Sequence, residues 1–293
     1  MTPVALQSDH SHLVPLRTSG SGPPMFCFPG SGGNVFIFRE MVTALREGSP
    51  VYGINMEWLC ESRQDFTVEQ IAAYYLDVIR SIQERGPYYF CGYSFGGLVA
   101  YEMARLLNDT DDGAKLVALL DTPNPALISN LSKADSAQFR KTYLLDRLKK
   151  YSVHLMRGEL RSLVSRGVAF VTSRTGWFFM PAIKRALQIA NRPLPIVLRS
   201  NDPGFLRAWN SYVPKTYAKD IVCFRVEERG PEHERDPSMG WEACVTGGIR
   251  VHVVPGGHVD MMTAPSVYVV ADRLADYLDQ DSIHRKQPVS GAL

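Results

Sequence analysis

Cysteine is scarce in this chain and follows no pattern: there are five in 293 residues, and none forms a Cys-x-x-Cys pair. That argues against a disulfide framework or a thiolate zinc site as the organising device, and no metal is expected. Cys27, Cys91 and Cys223 fall inside apolar, strand-like runs, which predicts reduced, buried thiols. Charge imbalance is also missing. The 32 Lys and Arg against 30 Asp and Glu leave a formal +2, so nothing global points to nucleic acid. No apolar run approaches membrane-spanning length. The opening residues carry neither the basic region nor the continuous apolar segment of a secretory signal. Internal repeats and long low-complexity tracts are absent as well. A cytoplasmic protein without a membrane span is the expectation. A hydrophobic content of 45% over this length suits one large α/β domain, or one such domain carrying a sizeable insertion.

What is present centres on residues 87–108. An apolar, aromatic-rich run, Tyr88 to Cys91, leads into Gly92-Tyr93-Ser94-Phe95-Gly96-Gly97. Apolar residues then recur at Leu98, Val99, Met103, Leu106 and Leu107. The first run reads as a buried strand and the last as an amphipathic helix. Between them lies Gly-x-Ser-x-Gly, the pattern of a nucleophile elbow. The reason for the spacing is steric. A serine on so sharp a turn needs neighbours without Cβ atoms, two residues before and two after, so that strand and helix can pass. Its hydroxyl then stands above the sheet, and the Phe95 N–H at the helix start faces the place where an oxyanion would form.

Strands and helices alternate through the first 126 residues, which predicts a mostly parallel sheet with helices on both faces. Leu13 to Leu16 is a candidate edge strand, followed by a strand at Met25 to Phe28. A helix is expected over Phe36 to Leu45, a strand over Pro50 to Ile54, and a loop over 57–66. Thr67-Val68-Glu69-Gln70 caps a helix running to about Arg85, and Lys115 to Leu120 is a further strand ending in Asp121. Pro29-Gly30-Ser31-Gly32-Gly33 lacks both the Gly-Lys-Ser/Thr ending of a P-loop and the spacing of a dinucleotide fingerprint. Beside a nucleophile elbow, such a loop supplies the second oxyanion donor, from Ser31 or its neighbour. From 127 to 210 the alternation gives way to helical stripes, read as a lid insertion. The core resumes over 211–280, with strands at Ile221 to Val226 and Val251 to Val254 and a closing helix from Ala264 to Leu278. Residues 281–293 read as a disordered tail. The insertion is basic. Residues 131–200 hold 14 Lys and Arg against 3 Asp and Glu, which leaves the remainder acidic. That fits an anionic partner near the lid, or simply solvated helix faces.

A serine nucleophile needs a general base. Of seven histidines, His10, His12 and His284 fall in expected tails, His154 in the insertion, His233 in a polar loop and His252 inside a strand. His258 alone follows a late strand in a glycine-containing loop, Pro255-Gly256-Gly257-His258. The base in turn needs a carboxylate on its other nitrogen. Asp121, one strand beyond the elbow, is the candidate with the better local context. Glu227 or Glu228, after the next sheet strand, is the rival. Asp260 is too close in sequence to His258 to orient it. The order Ser94, Asp121, His258 is that of an α/β-hydrolase.

These residues carry a resemblance along nearly the whole chain. Residues 13–30, the Val51-Tyr52-Gly53-Ile54 strand, Gly86-Pro87-Tyr88, the elbow from Gly92 to Ala104, Gly240-Trp241 and Val254 to His258 are similar to the thioesterase domains of nonribosomal peptide and polyketide synthases. The resemblance implies an α/β-hydrolase fold with a helical lid. It also implies that Asp121 is the triad acid, one strand earlier than in most α/β-hydrolases. The substrate would be an acyl, peptidyl or polyketide chain held as a thioester on the phosphopantetheine arm of an acyl or peptidyl carrier protein, with no bound cofactor. Release would proceed through acyl-Ser94, by hydrolysis or macrocyclisation. Trp177, Phe178, Phe179 and Met180 would wall an apolar acyl chamber, or pack the lid onto the core. Two other readings stay open: a stand-alone editing thioesterase or general esterase, and a catalytically silent binding module.

Overall fold

The computed structural model describes residues 12–61, 65–108, 110, 112–129, 203–228 and 236–285. In chain order the elements are β1 (Leu13–Arg17), β2 (Met25–Phe28), α1 (Arg39–Ala44), β3 (Val51–Ile54), α2 (Trp58–Glu61), α3 (Val68–Arg80) and β4 (Tyr88–Tyr93). Then follow α4 (Phe95–Leu106), β5 (Ala114–Leu120), α5 (Pro125–Ser129), α6 (Pro203–Ser211), β6 (Ile221–Val226), β7 (Ile249–Val254) and α7 (Ser266–Arg285). The strands form one sheet in the order β1-β3-β2-β4-β5-β6-β7. Among the described residues, only the edge pair β1–β3 is antiparallel; every other strand pairing is parallel.

The strands are continuous apolar runs because both faces of the sheet are covered. On one face Phe26, Phe28, Tyr88, Phe90, Val117, Leu119, Ile221 and Cys223 pack with Val68, Ile71, Tyr75 and Val78 of α3 and with Leu98, Val99 and Met103 of α4. The alternate residues Met25, Cys27, Tyr89, Cys91, Leu116, Ala118, Val222 and Phe224 pack on the other face. Their partners are Met41 and Val42 of α1 and Val267, Val270 and Leu274 of α7. Each large side chain so buried stabilises the fold by ~1.5–3 kcal/mol. Cys27, Cys91 and Cys223 are free and buried, on β2, β4 and β6. Among the described residues, no helix is long and apolar enough to cross a membrane.

Several boundaries differ from the sequence expectation, each for a local reason. The expected helix over Phe36 to Leu45 is a 3₁₀ turn, Val35–Phe38, followed by α1. The Asn34 side chain accepts from the Phe36 N–H and sets that turn. Part of the expected loop at 57–66 is α2. Trp58 holds it in place, its Nε1 donating to the Tyr75 hydroxyl at 2.7 Å, and that hydroxyl donates to the Asn55 carbonyl at 2.9 Å. Helix α3 has the expected capping box between Thr67 and Gln70 but ends at Arg80. Beyond it, the carbonyls of Gln83 and Glu84 accept from the Tyr88 hydroxyl at 3.0 and 3.1 Å. These bonds turn the chain into β4. Helix α7 starts at Ser266 and continues to Arg285, past residue 281, because no glycine or proline interrupts it. His12 belongs to no tail: its ring lies 5.5 Å from that of Trp58, and its carbonyl accepts from the Asn55 N–H.

The expected insertion is entered through α5 and left through α6. Residues 130–202, with the aromatic patch and most of the basic excess, lie outside the described residues. The returning chain is fastened to α4. Glu102, 1% exposed, takes a forked pair of bonds from Arg105 at 2.6 and 2.8 Å and a third from the Tyr212 hydroxyl at 2.8 Å. The Glu102 carboxylate in turn raises the Arg105 guanidinium above its ordinary pKa. Tyr101 donates to the Lys215 carbonyl at 2.8 Å. A buried carboxylate stripped of one donor is costly. Tyr212→Phe is expected to lower the unfolding free energy by about 1.5–3 kcal/mol. That would appear as a lower urea midpoint at an unchanged m-value. An unchanged midpoint would mean that the Tyr212 bond contributes nothing.

Candidate active site

Among the described residues, three that are not glycine hold a positive φ: Ser94, Asp121 and Met239. Two of these are predicted site residues, and backbone strain of this kind gathers at functional sites, at ~1–3 kcal/mol each. Ser94 stands between β4 and α4 with φ 53° and ψ −119°. Its N–H donates to the Leu120 carbonyl at 2.9 Å. Its carbonyl accepts from the Thr122 hydroxyl at 2.9 Å and from the Gly97 N–H at 3.0 Å. Its hydroxyl does not cap α4.

The glycines around Ser94 are required by contact. A Cβ on Gly92 would lie 2.3 Å from the Gly96 carbonyl oxygen, and one on Gly96 would lie 2.1 Å from that of Phe28. A Cβ on Gly97 would meet the Thr122 hydroxyl at 2.0 Å. Phe95 opens α4, so its N–H is a first-turn donor at the positive end of the helix. The loop after β2 passes close by: a Cβ on Gly30 would come within 3.3 Å of the Ser94 Cβ. A bond from the Gly33 N–H to the Gly30 carbonyl closes a turn with Ser31, exposed, and Gly32, buried, at its corner. Gly32 has φ 98°, which favours glycine.

Asp121 directly follows β5, fully buried, with φ 46°. Its N–H donates to the Phe224 carbonyl at 2.6 Å, and its Oδ1 accepts from the Val226 N–H at 3.3 Å. Its Oδ2 faces His258 Nδ1 at 2.5 Å. A carboxylate there assigns the Nδ1 proton and leaves Nε2 on the far side of the ring as the basic nitrogen. The imidazole lies flat against Tyr93, with ring centroids 4.8 Å apart and planes 17° from parallel. Tyr93 is the residue before Ser94, so the imidazole sits at the same end of the sheet as the elbow.

The carboxylate that faces His258 Nδ1 is that of Asp121, not one of its sequence rivals. The Glu227 and Glu228 N–H groups donate to the Val254 and Gly256 carbonyls at 2.9 and 3.1 Å, and both residues are exposed. Asp260 accepts from the Gly257 N–H within its own turn. His252 shares a 2.8 Å bond with the Tyr277 hydroxyl; burial, then Arg273 and Arg250, holds its pKa below the ordinary value. Trp177, Phe178, Phe179 and Met180 lie outside the described residues, as do His10, His154 and His233. Among the described residues, no three His, Cys, Asp or Glu side chains gather as metal ligands.

Residues 23–277 match the family model of the thioesterase domain. The chain belongs to the thioesterase-domain family. Its relatives include the dimodular nonribosomal peptide synthase of Bacillus subtilis (strain 168), 35% identical over 279 residues. That alignment covers 94% of this chain and 11% of the synthase. Malpinin synthetase of Mortierella alpina is 29% identical over 276 residues, covering 93% of this chain and 3% of the synthetase. The chain thus spans only a small fraction of these curated relatives. The NocB thioesterase domain, solved in covalent complex with a fluorophosphonate nocardicin G analog, superposes with a TM-score of 0.62 at 17% identity. The match covers 91% of this chain and 99% of that one, and it establishes the shared α/β-hydrolase fold. In this thioesterase domain Gly240-Trp241, one of the resembling pairs, has a structural role. The buried Trp241 Nε1 donates to the Thr122 carbonyl at 2.7 Å, directly behind the elbow.

Residue types alone did not reveal Thr122 or Tyr93. Tyr93 occupies a free position of Gly-x-Ser-x-Gly and Thr122 lies outside any motif, so only the folded chain shows what each holds. Because the Cβ of Gly96→Ala would meet main-chain atoms rather than a flexible side chain, this variant is expected to lose ~1–3 kcal/mol of stability or fail to accumulate as folded protein. Thermal melting checks this; a wild-type melting temperature would show that the elbow tolerates a methyl group.

Proposed function

We propose that this thioesterase domain releases an acyl, peptidyl or polyketide chain from the phosphopantetheine arm of a carrier protein through an acyl-Ser94 intermediate. The observation that carries the proposal is the bond from His258 Nδ1 to buried Asp121 Oδ2, beside a serine held on a strained turn. The kinship with peptide synthetases supports the substrate class. The substrate is presented by its carrier, and the chemistry assigned here needs no bound cofactor.

In this reading Ser94 Oγ attacks the thioester carbonyl carbon while His258 Nε2 takes the hydroxyl proton. Asp121 keeps the imidazole in the required tautomer and stabilises the imidazolium. The Phe95 N–H, with Ser31 as the second donor, receives the oxyanion; such a donor is worth about 2.7–4 kcal/mol of barrier. Collapse breaks the carbon–sulfur bond, and the departing thiol takes the proton from His258. A second nucleophile, either water or an amine or hydroxyl within the chain, then gives its proton to His258 and attacks the acyl-Ser94 carbonyl. Collapse returns the proton to Ser94 Oγ. Water yields a free acid and an internal nucleophile a ring, because the same three side chains serve both.

Two measurements test this. A fluorophosphonate probe should label wild-type protein at Ser94 and leave Ser94→Ala unlabelled, with no acyl adduct in intact-mass spectra after exposure to acyl-thioester mimics. Asp121→Asn should reduce kcat on a carrier-bound thioester by about 10³–10⁴-fold with KM little changed. Wild-type turnover by either variant would refute the assignment. The released product, acid or ring, identifies the second nucleophile.

A further inference from the structure

Tyr93 occupies the free position of the Gly-x-Ser-x-Gly pattern, yet its side chain is committed to the residue proposed as the base. It is buried, 7% exposed, on the sheet face covered by α1 and α7. Its ring stacks on the His258 imidazole at 4.8 Å and 17°. Its hydroxyl donates a 2.7 Å bond to the His258 carbonyl, across 165 residues of sequence. The space for its ring is kept by Gly30, where a Cβ would stand 3.2 Å from Tyr93 Cδ1.

These contacts supply what Asp121 cannot. A single bond at Nδ1 fixes one atom of the imidazole and leaves the ring able to roll about the Nδ1···Oδ2 line. A flat contact removes that rotation, and the bond to the main-chain carbonyl holds the loop after β7. Tyr93 is joined by a peptide bond to Ser94, so the plane of the base is referred to the backbone of the nucleophile itself. Resting on the thioesterase reading above, we propose that Tyr93 is a positioning residue that sets the ring plane of His258 relative to Ser94.

The test combines spectroscopy and kinetics on the full chain. In wild-type protein the His258 ring protons, assigned by their disappearance in His258→Gln, should lie upfield of an unstacked imidazole because of the Tyr93 ring current. Tyr93→Phe keeps the stack and loses the hydroxyl. It should retain the upfield position and lose about 2–10-fold in kcat on p-nitrophenyl butyrate, the effect of one hydrogen bond. Tyr93→Leu loses both contacts. Its ring protons should move to the unstacked position, and kcat should fall by ~30–100-fold at a KM within about twofold of wild type, as expected for a misplaced base. A folded Tyr93→Leu with wild-type kcat overturns the proposal, as do wild-type ring protons at the unstacked position. If Tyr93→Leu does not fold, the wild-type and Tyr93→Phe spectra decide alone. Failure of the fluorophosphonate to label wild-type Ser94 would instead remove the thioesterase reading, while the spectra would still report whether Tyr93 holds the ring.

Discussion

Ser94 keeps its strained backbone because both of its main-chain groups are already committed. Its N–H is bonded to Leu120, and its carbonyl accepts from Thr122 and Gly97. Relaxing φ would break bonds inside a water-excluded region, where an unpaired amide or carbonyl costs more than the strain it would relieve. The close approach of β4, α4 and the end of β2 makes this possible, and glycine at 92, 96 and 97 is the condition for that approach. Trp241 continues the arrangement outward by bonding the Thr122 carbonyl, so the turn is braced from the core as well as from the sheet.

The site inherits its order from the sheet. In a parallel sheet the strands deliver their C-terminal ends to the same side, so Tyr93, Asp121 and His258, at or just after the ends of β4, β5 and β7, meet although 165 positions separate Tyr93 from His258. The pairing of β5 with β6 also places the Val226 N–H against Asp121 Oδ1, which leaves Oδ2 for the imidazole. Burial then matters twice. It removes water that would compete for the carboxylate, and it makes the two-sided apolar core the support on which the polar contacts depend.

Much of this was legible in the sequence, because sterics and period write themselves into residue type. The glycine spacing marks the elbow, the unbroken apolar runs mark strands covered on both faces, and Thr67 with Gln70 marks a helix start. The choice of Asp121 over Glu227 and Glu228 rested on local context and resemblance; the decisive fact is which carboxylate reaches Nδ1, and that is a distance. Four-residue α2 carries no readable period, and its stability comes from Trp58 bonding to a tyrosine on another helix. The segment after α3 is held by the Tyr88 hydroxyl on the Gln83 and Glu84 carbonyls, a contact made after the chain has turned back. His12 reads as part of a tail because nothing near it in sequence indicates the aromatic cluster that receives it.

The sequence by itself determined the fold class, the position of the strained serine and the short set of residues able to serve it. These follow from constraints that act within a few residues: the volume of a Cβ, the alternation of a strand, the spacing of a turn. Only the tertiary structure decided which carboxylate meets the histidine, that Tyr93 lies flat against that ring, and that Thr122 and Trp241 brace the turn. Those contacts join residues far apart along the chain, and their directions are fixed by packing across the sheet rather than by any local preference.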